Sequence, residues 1–225
     1  KIKGITLLEV MNDYAHHKKN LIKDKTIRDY QIIFNSYLSE WQNNELIAIN
    51  RSMVEKKHRV IGKKSIYRAN ATMRLLRALF NFAIGEYEDS SGAPIIQHNP
   101  VQKISHKKAW FREKARTNII EPNDLKSWFK AVNTLPLNKT NTTHKNTSET
   151  VKDYLLVLLL TGLRPGEAIS LTWNNIDFNN NLLSIEDTKN HKKHTLPLTS
   201  FIMDIFKRRK NESLGSAVFP GYNPN

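Results

Sequence analysis

The tightest constraint on this fold lies between Leu158 and Leu171, which read Leu-Leu-Leu-Thr-Gly-Leu-Arg-Pro-Gly-Glu-Ala-Ile-Ser-Leu. The apolar run from Val151 to Leu160 has the length of a helix. It is expected to stop at Gly162, because glycine adopts the left-handed conformation that ends a helix without steric cost. Pro165 carries the fixed φ and the missing N–H that suit the first position of a new helix. Arg164 is therefore expected at a tight junction between two buried elements. Glu167 follows three residues on, on the same face, where it can hold the guanidinium. An arginine held this way is suited to bidentate recognition of a phosphate or a carboxylate. From these residues alone, an ion pair between packed helices is an equal reading.

Past this junction the hydrophobic period changes from helical to alternating. Ile176-Asp177-Phe178, the turn Asn179-Asn180-Asn181 and Leu182 to Ile185 predict strand, turn and strand. A second reversal around Asn190 leads to His194–Leu198, which completes a three-stranded antiparallel sheet. A last helix is expected from Thr199 to Lys210, with Phe201, Ile202, Ile205 and Phe206 on one side and Lys-Arg-Arg-Lys complementing its C-terminal dipole. Upstream, Glu121-Pro122-Asn123-Asp124 opens a helix through Leu125, Trp128, Phe129 and Val132. The polar stretch from Asn138 to Thr150 reads as a surface loop. The apolar run after it has Leu and Val facing nearly all directions, as expected of a buried centre.

The first half reads as helical throughout. Thr6 and Glu9 form a capping box ahead of Val10, Met11 and Tyr14, and a second helix is expected from Thr26. A short piece from Ser52 to His58 precedes a basic loop at Lys63-Lys64, and Ser65 caps a long amphipathic helix over 66–84. Its apolar stripe is Ile66, Ala69, Met73, Leu76, Phe80 and Ala83. A second stripe at helical spacing holds Asn70, Arg74, Arg77 and Asn81. Asp89–Pro100 is a turn region that closes this domain.

Charge is unevenly placed. The chain carries +14 overall, and residues 1–117 hold 22 Lys/Arg against 11 Asp/Glu while residues 118–225 hold 13 against 10. A basic half of this size points to a polyanionic partner, most simply nucleic acid. Residues 101–117 carry seven basic residues, His106 included, and only Glu113 as an acid. They read as a linker lying along that polyanion, with solvated charge as the alternative. Cysteine is absent, so neither a disulfide framework nor a thiolate zinc site is available. No apolar run reaches the roughly 20 residues of a membrane span, and the N-terminus is no signal peptide. A cytoplasmic location, without membrane attachment, is expected.

The blocks Thr161-Gly162-Leu163-Arg164-Pro165-Gly166-Glu167, Leu171-Thr172-Trp173, Ile176-Asp177-Phe178, Thr188-Lys189 and Leu196-Pro197-Leu198 resemble, in order and spacing, the phage integrase family of tyrosine recombinases. The resemblance implies a mainly α fold with a small antiparallel β-sheet. A helical core-binding (SAM-like) domain over 1–105 and a basic linker over 106–117 would precede the α+β catalytic domain, whose N-terminal part spans 118–225. The two domains would close on duplex DNA as a clamp. It implies that Arg164 clamps the non-bridging oxygens of the scissile phosphate, with Glu167 in support. Lys189, on the hairpin, would be the general acid for the departing 5′ oxygen, an assignment that suits an ammonium on a flexible tip. A tyrosine hydroxyl forms a 3′-phosphotyrosine in this family, without metal or other cofactor. Self-association on DNA, up to a tetramer in the synapse, also follows. On the more loosely matching first half, Lys63, Lys64, Tyr67, Arg68 and Arg74, together with Lys107 and Lys108 of the linker, are candidate DNA contacts.

The sequence departs from the pattern downstream of the hairpin. The family's His-x-x-Arg block, the further His or Trp and the nucleophilic tyrosine do not occur before Asn225. Tyr222 lies in Pro220-Gly221-Tyr222-Asn223-Pro224 and reads as a loop residue. The chain starts at Lys1 rather than Met, so a fragment of a longer recombinase, inactive by itself, is the expectation. A DNA-binding regulator or decoy without catalysis is the alternative, and a phosphate-binding enzyme acting on a small substrate is a third reading. His191 and His194 lack a nearby third ligand for a metal.

Overall fold

The structure, a computed structural model, describes residues 4–115, 117–135, 142–185, 193–213 and 215–220. The chain divides into two compact units, Lys1–Arg116 and Thr117–Asn225. Helix and a small antiparallel sheet make up the fold, as the residue pattern predicts.

Unit 1 is built around one long helix. Helices α1 (Leu7–Lys18), α2 (Asp24–Tyr37) and α3 (Arg51–Gly62) each pack against α4 (Ile66–Glu86). The Thr6 capping box forms, with the Thr6 amide donating to Glu9 at 2.8 Å, and Ser65 caps α4 through the Arg68 amide. The expected stripe is buried from Ala69 through Met73, Leu76 and Phe80 to Ala83. Ile96, Val101 and Ile104 complete this core from the turn region and from α5 (Gln102–His106).

Two features of this unit go beyond the sequence reading. Asn70, one member of the second stripe, is buried at 1% exposure. In the basic stretch after α5, Trp110 and Phe111 pack on the core as a strap. Gly62 makes room for it, since a Cβ there would stand 2.3 Å from the Phe111 ring. The strap is held by contacts from α3 and α4 that no local pattern in its own sequence announces.

Unit 2 opens with a single 3-10 turn at Pro122–Asp124 and α6 (Leu125–Asn133). Helix α7 runs Thr142–Thr161, so the stretch expected as a loop is helical from Thr142 onward; residues 138–141 lie outside the described residues. Extending a helix costs little once its first turn exists, and polar residues do not stop it. Helix α7 also buries one face, not all of them. Leu156 and Val157 are inside, whereas Val151, Leu159 and Leu160 are 42%, 36% and 50% exposed. Helix α8 (Pro165–Ile169) follows, then strands β1 (Ile176–Asp177), β2 (Leu182–Ile185) and β3 (His194–Pro197) in the order β1-β2-β3. Both pairings are antiparallel, with Ile176 opposite Leu183 and Ile185 opposite His194. Helix α9 (Ser200–Glu212), capped by Thr199, buries Ile202, Met203, Ile205 and Phe206, while Phe201 stays 45% exposed.

The chain after α9 folds back on the residues that follow α8. The Trp173 amide donates to the Ser216 carbonyl at 3.0 Å, and the Val218 amide to the Leu171 carbonyl at 2.9 Å. A buried ionic cluster ties this return segment to α7. Asp153, 1% exposed in its side chain, accepts from Arg208 at 2.7 and 2.8 Å and from Arg209 at 3.2 Å. Arg209 also donates from Nε to the Val218 carbonyl at 2.9 Å and from Nη2 to Thr150 Oγ1 at 3.1 Å. These two arginines therefore do more than complement a helix dipole.

Candidate functional site

The turn between α7 and α8 has the backbone that its sequence dictates. Gly162 sits at φ +67, and its amide closes the last turn on the Leu158 carbonyl at 3.0 Å. Thr161 Oγ1 donates to the Val157 carbonyl at 2.5 Å and accepts from the Leu163 amide at 3.4 Å. Leu163 drops into the core, 6% exposed, which anchors the turn from inside. Tyr154 Oη donates to the Pro165 carbonyl at 3.1 Å, fastening the start of α8 to α7.

Arg164 follows with an extended backbone at φ −66 and ψ 146, and Pro165 takes the first helical position. Its amide donates to Glu167 Oε2 at 2.9 Å and its Nη1 to Glu167 Oε1 at 2.7 Å. One carboxylate thus fixes both ends of the residue. The Arg164 side chain is 57% exposed and that of Glu167 14%. The sequence reading of an arginine enclosed between buried elements is therefore corrected: the anchor is buried, but the guanidinium faces solvent. The reason is the length of α8, whose five residues bury Ala168, half-bury Glu167 and leave the rest at the surface. The Arg164 amide, then its guanidinium, hold the Glu167 carboxyl below the usual carboxylate range, and His194 at the start of β3 adds to the effect. Glu167 stays ionised at neutral pH and restrains the arginine, which keeps other N–H groups for a second anion.

Lys189, the expected general acid, lies outside the described residues, as do His191 and Tyr222. Its flanking strands are in register, with Ser184 Oγ 3.1 Å from Thr195 Oγ1.

In unit 1, Lys63 and Lys64 are exposed between α3 and α4, and Tyr67 and Arg68 are exposed on the first turn of α4. Tyr67 Oη donates to the Lys114 carbonyl at 2.8 Å. Arg74 is exposed but engaged, its Nη2 donating to Glu113 Oε1 at 2.7 Å. Lys107 pairs with Glu55 at 2.9 Å, and Lys108 adopts φ +51 where α5 ends.

Sequence reasoning missed a network centred on Asn70. Its Nδ2 donates to the Phe111 carbonyl at 2.9 Å and to Glu113 Oε1 at 2.7 Å, and its Oδ1 lies 3.0 Å from Nε2 of buried His58. The His58 ring packs against Phe111 at 4.5 Å between centroids. A lone acid in a basic run was the available signal, because it needs cations or amides close by.

Known proteins resemble this chain in sequence and in fold. Residues 118–221 match the model described as the phage integrase family. Prophage integrase IntF of Escherichia coli (strain K12) is 34% identical over 88 residues, 39% of this chain and 16% of its own length. The Tn1549 transposon integrase in complex with transposon right end DNA superposes with a TM-score of 0.67 at 17% identity, over 92% of this chain and 65% of that one. A lambda integrase dimer bound to a COC′ core site gives 0.70 at 18% identity, over 96% and 74%. At these identities the structural likeness is one of fold. The chain spans about two thirds to three quarters of these structures and a sixth of the E. coli relative.

Proposed function

On the match of residues 118–221 to the phage integrase family, we propose that this chain binds duplex DNA and supplies Arg164 to strand exchange of the tyrosine-recombinase type. The observation that carries the reading is the Arg164 guanidinium, held at one end by Glu167 and 57% open to solvent at the other. A fixed fork of donors at a rigid turn complements the non-bridging oxygens of a phosphodiester and neutralises the charge that builds there during displacement. Lys189 delivers a proton to the departing 5′ oxygen, and a tyrosine supplied elsewhere in the complete enzyme takes the phosphoryl group. The exposed cations of unit 1, Lys63, Lys64, Arg68 and Arg74 among them, contribute affinity through backbone phosphates, with Tyr67, Lys107 and Lys108 beside them. Assembly on DNA, to a tetramer in the synapse, belongs to the same reading.

Filter-binding titrations of a duplex oligonucleotide across a salt series test the DNA reading. Log affinity should fall steeply with log salt, by about 0.9 per phosphate neutralised. In a longer recombinase carrying this chain, Arg164→Ala should abolish covalent capture of a nicked duplex. Normal capture by that variant would remove Arg164 from the site.

A further inference from the structure

One cleft of unit 1 has the composition of an anion site. It measures about 340 Å³ and is lined by Asn70, Arg74, Arg77, Trp110, Phe111 and Glu113. Arg74 and Arg77 stand one turn apart on α4, both exposed. Both guanidiniums lie over the Trp110 ring, at 6.0 and 5.5 Å from its centroid. That indole holds two cations side by side, an arrangement that is costly unless an anion is shared between them.

The anion present is Glu113. Its Oε1 accepts from Arg74 and from Asn70, each at 2.7 Å. These contacts hold the Glu113 carboxyl below its usual range, that from Asn70 foremost. Arg77 has no ion pair among the described residues. Two guanidiniums facing one carboxylate leave the cleft short of negative charge. Glu113 rides on the strap, held through Asn70, His58 and Phe111, so its side chain can turn away without the strap leaving α4.

We propose that this cleft is a phosphodiester site: Arg74 and Arg77 take the oxygens of one DNA backbone phosphate, and Glu113 occupies Arg74 until that phosphate displaces it. The proposal rests on the DNA-binding reading above and adds a gate to it. The strap's single acid acts as a stand-in that keeps Arg74 oriented when DNA is absent. It also sets a threshold against weaker anions, which must compete with a carboxylate already in place.

The test uses the 225-residue chain, a duplex oligonucleotide and a salt series. Arg74→Ala/Arg77→Ala should lower the steepness of log affinity against log salt by about 0.9, the value of one phosphate contact. Glu113→Gln keeps the acceptor oxygen for Asn70 and should tighten binding about two- to fivefold, the range expected from freeing an exposed ion pair. In an Arg74→Ala background that gain should vanish. Circular dichroism establishes that each variant is folded, and Glu113→Gln decides alone if the double variant is not. A wild-type chain with a shallow salt response overturns the DNA reading and this site with it. A steep wild-type response, with the Arg74→Ala/Arg77→Ala slope and the Glu113→Gln affinity unchanged, overturns the gated cleft alone.

Discussion

Asp153→Asn is the perturbation that best exposes how unit 2 is held together. The substitution keeps the shape of the side chain and removes one charge from a site where Asp153 is 1% and Arg209 9% exposed. Arg209 would then remain buried with hydrogen bonds to Val218 and Thr150 but no counter-ion. Breaking a buried pair from one side costs about 3–5 kcal/mol. The Arg208 contact adds little, because that side chain is 39% exposed and solvent screens it; about 0.2–1 kcal/mol is its share. Amide hydrogen exchange at Val218 reads the result within unit 2, since its N–H is bonded to the Leu171 carbonyl at 2.9 Å. Protection should drop by about two to four orders of magnitude at 1.4 kcal/mol per decade. Arg208→Ala should cost less than about 1 kcal/mol. Equal losses from Asp153→Asn and Arg208→Ala, or a loss from Asp153→Asn below about 1 kcal/mol, would refute the assignment of the burial penalty to Arg209.

Gly162→Ala should destabilise unit 2 by about 1–2 kcal/mol in urea titrations, the backbone cost of the left-handed region alone, because a Cβ there meets nothing within 4 Å; a neutral variant would mean the turn relaxes. Glu167→Gln should remove an acid-sensitive part of stability. A carboxyl lowered by folding stabilises above its unfolded value, about 4.3, and loses that contribution as pH falls through the lower folded value. The gap in urea midpoint between wild type and Glu167→Gln should therefore close on acidification, and a constant gap from neutral to strongly acidic pH would contradict it.

What the sequence discloses follows the range of the forces involved. The α7–α8 turn was legible because Gly162, Pro165 and Glu167 act within a few residues, and so was the sheet, whose alternation lies within each strand. The strap was not, because Asn70 meets Phe111 and Glu113 across more than 40 residues and nothing in either segment announces the partner. Asp153 reads in sequence as a polar residue near the start of an apolar run, and Arg208 and Arg209 as ordinary charges at a helix end. Only packing shows that 55 residues of chain return them to a shared buried carboxylate. Lys189 is assigned by resemblance alone and lies outside the described residues.

The dependence of α1, α2 and α3 on α4 has a consequence for biosynthesis. Because each packs on a later helix, none of the three can complete its packing until α4 has left the ribosome. The segments just before α4 must travel as incompletely packed helices. Their apolar stripes wait, open to chaperones, for a scaffold translated after them.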